Sequence, residues 1–585
     1  MKKIVLMAVM LLSLTGMKAQ QVSGLYEELP NPVATDVSKW TKVTNPIIAW
    51  GSTDVRYNKE LPASITPVGI MNLTAWMGEK VSAQLVISTN RDLKNVSVEV
   101  SDILAKNYKI SKWNIERGFV RYVMTDELNK DGKGGCGRRP NKADWDSTLV
   151  ADVIDHVTPV LDIKANTTQP VWVSVKVPRE NIIKGMYRGT ITVKEDGKVL
   201  KELPLVVNVK NRVLPAPKDW AFHLDLWQNP YAVSRYYNVE PFSQEHFDLM
   251  RPIMKRYADA GGKVITASIM HKPWNGQTFD PFESMVTWMK KADGTWWFDY
   301  TVFDKWVEFM MSLGIKKEIN CYSMVPWRLS FQYFDQASNQ FKYFTGKPGE
   351  PAYEEFWMRM LKSFAQHLKE KGWFEITHIA MDERGLKDML ATIEVVRKAD
   401  PDFKLSLAGS HHKELLEPLN DYCVTMAETF SPEEIAVRRA KGMTTTYYTC
   451  CAEARPNTFT FSPPAEAEYL GWFASKAGVD GYLRWALNSW VEKPLHDSRF
   501  TNWAAGDTYI LYPDARTSIR FERLIEGIQA YEKIRILRTE TDKKGRSKNY
   551  GKQLDKILEA FDPLTLTETS ATDVVKKAKQ ELNRF

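Results

Sequence analysis

Residues 376–384 read Ile-Thr-His-Ile-Ala-Met-Asp-Glu-Arg, a short apolar run that ends on two adjacent acids. It is the fourth of eight such runs, which start at Ala221, Val264, Ile319, Thr377, Lys404, Tyr422, Thr444 and Gly481. Amphipathic stretches of 15 to 40 residues separate them. In one of these, Phe356, Met360, Phe364 and Leu368 fall at helical spacing, and residues 386–398 repeat the pattern. Strands alternating with helices predict parallel strands joined by right-handed crossovers, and eight of them predict a closed (β/α)8 TIM-like barrel. The competing arrangement is an open doubly wound sheet. No Gly-rich phosphate loop follows the first run, which favours the barrel.

Upstream of these runs the period changes from helical to two. Val171, Val173, Val175 and Val177 alternate with Trp172, Ser174 and Lys176, the pattern of a half-buried strand. Residues 187–193 and 199–209 read as a hairpin closed by Asp196-Gly197, and residues 84–88 and 96–100 add further strands. Short strands at this spacing predict a β-sandwich. The charged, Gly-rich residues 131–139 predict a long loop, and Val213-Leu214-Pro215-Ala216-Pro217 a stiff boundary. From Ser518 onward the pattern is helical, with apolar stripes at Phe521, Leu524, Ile525 and Ile528 and again within 554–561 and 574–582. The expected organisation is therefore a leader at 1–20, a sandwich at 21–213, a catalytic barrel at 214–535 and a helical segment at 536–585.

The leader is read from Lys2 and Lys3, an apolar stretch over residues 4–14 and the small residues near Ala19. That stretch is about half of the ~20 residues that span a bilayer. An exported, periplasmic or secreted protein with no spanning segment is expected. The net charge of +7 falls to +4 once Lys2, Lys3 and Lys18 leave with the leader. The remaining bases are interspersed with acids, which argues against a nucleic-acid partner. The five cysteines, Cys136, Cys321, Cys423, Cys450 and Cys451, form neither a disulfide framework nor a paired zinc pattern. No cofactor and no metal is expected.

In a (β/α)8 enzyme the active site lies where the strands end. Adjacent strand residues point to opposite faces, so Asp382 and Glu383 reach one site only where the strand ends and turns. Two acids closing an apolar run are costly to bury without a task or partners. The structural alternatives are an ion pair of Glu383 with Arg384 and a helix cap by Asp382. The pair suits a sugar bearing a 2-acetamido group, whose amide oxygen attacks its own anomeric carbon to give an oxazolinium ion. Asp382 would then orient and polarise the amide while Glu383 acts as general acid and base. Other strand ends bring Asp225, Trp227, His271, Tyr322, Tyr448, Trp485 and Asn488 as substrate contacts, with His223, Arg484 and Trp490 nearby. Leu224 and Leu226 face the helices, which turns His223, Asp225 and Trp227 inward. Tyr448 is the candidate donor to the acetamido carbonyl, and Trp485 or Trp490 the platform for the sugar face.

The Met381-Asp382-Glu383 strand end, the run from Gly481 to Trp490, the later Gly506-Asp507 and Tyr512-Pro513, and residues 185–193 together resemble glycoside hydrolase family 123. The resemblance implies an exo-acting, retaining β-N-acetylgalactosaminidase that works through an oxazoline intermediate, with Asp382 and Glu383 as its catalytic pair. It implies terminal β-linked N-acetylgalactosamine, as on glycosphingolipid glycans, as substrate. Two other readings stand beside it. One is a β-glycosidase using Glu383 as acid/base and Glu428 as nucleophile by double displacement. The other is a non-catalytic glycan-binding surface protein.

Overall fold

The computed structural model describes residues 26–126, 136–137, 141–540, 545, 548–567 and 570–585. The expected leader lies outside the described residues, as does the expected loop at 131–139 apart from Cys136 and Gly137.

The first part is a two-sheet sandwich. One sheet orders Ile47–Gly51, Lys80–Thr89, Thr167–Lys176, Ile115–Thr125 and Thr148–Asp155; the other orders Met71–Met77, Lys198–Val213, Gly185–Glu195, Leu93–Val100 and Val160–Ile163. The expected hairpin is present, with Asp196 and Gly197 both at positive φ (47° and 76°), the turn that matches strand twist. Val171, Val173, Val175 and Val177 point into the apolar core between the sheets. The strand is not half-buried as its alternation suggested. Trp172 packs with Ile519, and Ser174 donates to Glu522 at 3.2 Å, because the helix Ile519–Thr539 lies over that face.

The junction is polar and held by buried ion pairs. Buried Asp152 takes Arg56, Arg520 and the Tyr512 hydroxyl at 2.9, 2.9 and 2.6 Å, and Asp155 takes Arg516 at 2.7 Å. Removing one partner would strand a buried charge, which fixes how the two parts sit. The short strand Thr517–Ser518 even joins the sandwich sheet beside Val153 and Ile154.

The second part is a nearly closed eight-stranded parallel barrel: His223–Leu226, Val264–Ser268, Glu318–Tyr322, Thr377–Asp382, Lys404–Gly409, Asp421–Thr425, Thr444–Tyr448 and Gly481–Arg484. Each strand starts within two residues of its expected position. First and eighth strands pair, and a Cβ on Gly481 would lie 2.0 Å from the His223 carbonyl, so only glycine permits that approach. First and second strands meet at the bridge Leu224–Gly262. The outward residues Leu224, Ile265, Ile319, Ile379, Leu405 and Val424 pack under the helices. A four-stranded sheet, Thr287–Lys290, Trp296–Asp299, Ser330–Asp335 and Gln340–Thr345, sits in the connections around the third strand. The sequence reading had only helices there. Its strands are four to six residues of clustered aromatics, too short to show a period.

After the barrel come helices Ile519–Thr539, Gly551–Leu558 and Ala571–Leu582, so residue 535 falls inside the first. No helix among the described residues is long and apolar enough to cross a membrane.

Candidate active site

Asp382 is the last residue of the fourth strand, and Glu383 follows at φ 47°. A glutamate in the left-handed region is uncommon, and here it re-aims a side chain that strand alternation would have sent to the other face. The Glu383 amide donates to the Ala408 carbonyl at 2.7 Å, fixing the turn to the fifth strand. Both carboxylates thereby line one cavity of about 240 Å³. That is smaller than the roughly 300–1,000 Å³ typical of ligand pockets, and suits a single sugar residue.

The surroundings give the two acids different characters. Asp382 is half-buried and accepts the Trp327 indole N–H at 3.1 Å. Burial, and next the charge of Glu383, push the Asp382 carboxyl up to about 7, against the opposing pull of Trp327, Arg384 and Trp274. Glu383 is exposed and accepts the Tyr448 hydroxyl at 3.0 Å. Arg384 donates to the Asp382 carbonyl at 2.7 Å and lies 4.5 Å over the Trp327 ring. It thus braces the turn rather than pairing with Glu383. Asp382 caps no helix either, since the next helix starts at Leu386 with Gly385 as its N-cap.

The family model for the catalytic domain of glycoside hydrolase 123 matches residues 227–537, and that for its N-terminal domain matches residues 50–195. The chain belongs to glycoside hydrolase family 123. A family 123 glycoside hydrolase from Clostridium perfringens, solved to detail glycolipid glycan hydrolysis, superposes with a TM-score of 0.81 at 28% identity, covering 92% of this chain and 98% of that one. A Bacteroides ovatus GH5 xyloglucanase (TM-score 0.29, 8% identity, 79% and 98% covered) and a family 39 glycoside hydrolase from Bacteroides cellulosilyticus WH2 (0.32, 10%, 79% and 82%) are too distant to carry an argument. A search of curated proteins finds no match.

Within this family 123 barrel, Trp227, Tyr448 and Trp485 line the cavity beside the acidic pair. Four other expected contacts lie outside its lining. Asp225 is buried below the mouth, where it accepts the Trp227 indole N–H at 3.3 Å. Tyr322 is buried against Trp227 and Trp274, with ring centroids 4.7 and 4.9 Å away. His271 meets Glu283 at 2.5 Å. Asn488 is spent on the backbone of Asn229, accepting from its N–H at 3.0 Å and donating to its carbonyl at 2.9 Å. Each sits near a strand end, but Asn488 is taken by backbone, His271 by a carboxylate, and Asp225 and Tyr322 are buried beneath the aromatic rings of the mouth. Trp490 is buried and donates to the Leu511 carbonyl at 2.7 Å, and Arg484 is buried against Asp507 at 2.6 Å. Glu428 accepts from the His411 amide and does not line the cavity.

Sequence reasoning missed Trp327, Trp503 and Gln277, all of which line the cavity. They stand on loops beyond the strand ends, where no periodicity marks them; the one available signal for Trp327 was its place five residues after the third strand. It also missed Cys136, Cys450 and Cys451. Cys136 and Cys451 are joined by a disulfide across 315 positions, although the cysteine count suggested no such framework. Adjacent Cys450 is free.

Proposed function

We propose that the protein is an exo-acting, retaining β-N-acetylgalactosaminidase that uses its substrate's acetamido group as nucleophile. The observation that carries this reading is the turn at Glu383, which brings adjacent carboxylates into one sugar-sized cavity. A general acid and a nucleophilic carboxylate normally stand on different strands about 5 Å apart; two neighbours on one turn suit division of labour on one face of the sugar. Glu428, the partner that double displacement would need, is occupied by His411 outside that cavity.

In this mechanism Asp382 accepts the acetamido N–H, aiming the amide oxygen at the anomeric carbon and countering the positive charge of the oxazolinium ion. Glu383 protonates the departing glycosidic oxygen, then takes a proton from the water that reopens the ring. With the Asp382 carboxyl pushed up to about 7, the adjacent pair holds one proton to share below that pH, the number this division requires. Tyr448 steadies Glu383, and Trp227, Trp327, Trp485 and Trp503 offer apolar faces to the sugar. The Clostridium perfringens enzyme's link to glycolipid glycans supports a glycan or glycolipid with terminal β-N-acetylgalactosamine as substrate. The disulfide supports export, because such bonds persist in oxidising compartments.

The test is hydrolysis of p-nitrophenyl β-glycosides of N-acetylgalactosamine, N-acetylglucosamine and galactose. Turnover confined to the N-acetylgalactosaminide, with tight inhibition by its thiazoline analogue, is expected. Efficient cleavage of the plain galactoside would remove substrate assistance; preference for the N-acetylglucosaminide would overturn the sugar assignment.

A further inference from the structure

Cys136 lies in the connection between the sandwich strands Ile115–Thr125 and Thr148–Asp155, whereas Cys451 follows the seventh barrel strand, Thr444–Tyr448. Their disulfide closes over 315 positions, and both residues line the cavity that holds Asp382 and Glu383. One wall of the sugar site is therefore carried in from the sandwich. Along the two sandwich strands the chain is held by the sheet, with Thr125 paired to Thr148. Cys136 stands ten or more residues from either strand end, and a covalent link to Cys451 ties it to the mouth.

We infer that Cys136 is a positioning residue for substrate: through its disulfide to Cys451 it places a sandwich-borne wall against the sugar site and so sets affinity for the glycan. This rests on the reading of the Asp382–Glu383 cavity as the sugar site. The hydrogen bonds given to the two carboxylates come from Trp327 and Tyr448, not from Cys136 or Cys451. Its loss weakens binding and leaves the chemistry intact, the signature of a higher KM at constant kcat. Cys450 does not compete for the bridge. Burial, with the charge of Glu453 next, pushes its thiol well above the usual range, so it stays protonated and a poor nucleophile toward the neighbouring disulfide.

The experiment is to treat the folded, full-length protein with a dithiol, which reduces the bridge to two thiols as it closes to its own cyclic disulfide. Mass spectrometry of alkylated protein should then count two more thiols than before. KM for the p-nitrophenyl N-acetylgalactosaminide is expected to rise about tenfold with kcat changed less than about twofold. The Cys136→Ser/Cys451→Ser variant should match the reduced enzyme and ignore dithiol, and Cys450→Ser should respond as the parent does. An unchanged KM in protein whose thiol count has risen by two overturns the inference, as does an equal fall in kcat. A second readout is independent of turnover: opening the wall should speed iodoacetamide alkylation of Cys450 in the reduced protein and in the double variant. If no glycoside is cleaved but Cys450 alkylation still accelerates, the functional reading has failed and the tether stands. If glycoside is cleaved and neither KM nor alkylation moves, the tether has failed alone.

Discussion

The sandwich core and the barrel interior are both buried, yet they are built from opposite chemistry. Between the sheets lie Trp50, Leu85, Val98, Val173, Ile191, Leu205 and Val207. Inside the barrel lie His223, Asp225, Glu318, Asn320, His378, Asp421 and Thr446, all buried. Barrel interiors are ordinarily filled with branched apolar residues. Here the apolar set is on the outer face of each strand, under the helices, and the inner layers are polar up to the aromatic mouth. Burial displaces the ionisation of this interior strongly: His223 is pushed down to about 3 by burial and then by Lys317, and Asp225 is pushed well up by burial and then by Glu318. Burial would raise Glu318 too, but His378 at 2.8 Å, together with His223 and Asp421, pulls that carboxyl below its usual range. Close packing of apolar groups stabilises the sandwich, while the barrel buries a cluster of polar and titratable groups below the site.

The comparison is sharpest when each region loses one group. Glu383→Gln at the barrel mouth should lower kcat/KM by about 10²–10⁴, the usual worth of a general acid/base, with an unchanged urea midpoint. Ile191→Ala in the sandwich core, where the side chain is fully buried, should cost about 2–5 kcal/mol in urea unfolding while kcat stays within twofold. A Glu383→Gln enzyme that kept its activity would return the acid/base role to another residue. An Ile191→Ala enzyme that lost kcat would mean that the two regions are not independent.

The same contrast decided what could be read from sequence. All eight barrel strands were legible because their outward residues are apolar against the helices, and the Asp382-Glu383 pair stood out as acids closing such a run. The hairpin at Asp196-Gly197 was legible from its turn residues. The inserted sheet was not, since Trp296, Trp297 and Phe298 alternate with nothing. Asn488 and Asp225 were legible as polar strand-end residues, but not that Asn229 and Trp227 claim their atoms. The wall made by Cys136 depends on a contact between residues 315 positions apart, which no local pattern encodes.

A smaller effect tests the energetic cost of the site. The folded-state pKa of Asp382 is raised to about 7, above the usual carboxylate value of 3.8. A raised pKa contributes stability that is fully present below about pH 4 and is lost as pH rises through about 7. At pH 8 the ionised Asp382 therefore weighs against the fold, and Asp382→Asn should be more stable than the parent there. Discounted for its partial contact with solvent, the gain is about 1 kcal/mol in urea unfolding at pH 8. It should fade by pH 4. Equal stability at both pH values would mean that the carboxyl is not pushed up.

The smallest expected effect isolates Trp327, one of the cavity residues that sequence reasoning missed. Its indole N–H favours the ionised form of Asp382 and so opposes burial and Glu383. Trp327→Phe keeps an aromatic face and removes only that donor, so the carboxyl should rise above about 7. Since the pair must retain one proton for Glu383 to act as acid, activity falls as pH rises through the pair's upper pKa. The alkaline limb of kcat/KM should consequently move up by about 0.5–1 unit in the variant. A limb that stayed in place would assign the pH dependence to a group other than Asp382. A limb that moved down would mean that the ring, by excluding water, raises the carboxyl more than its N–H lowers it.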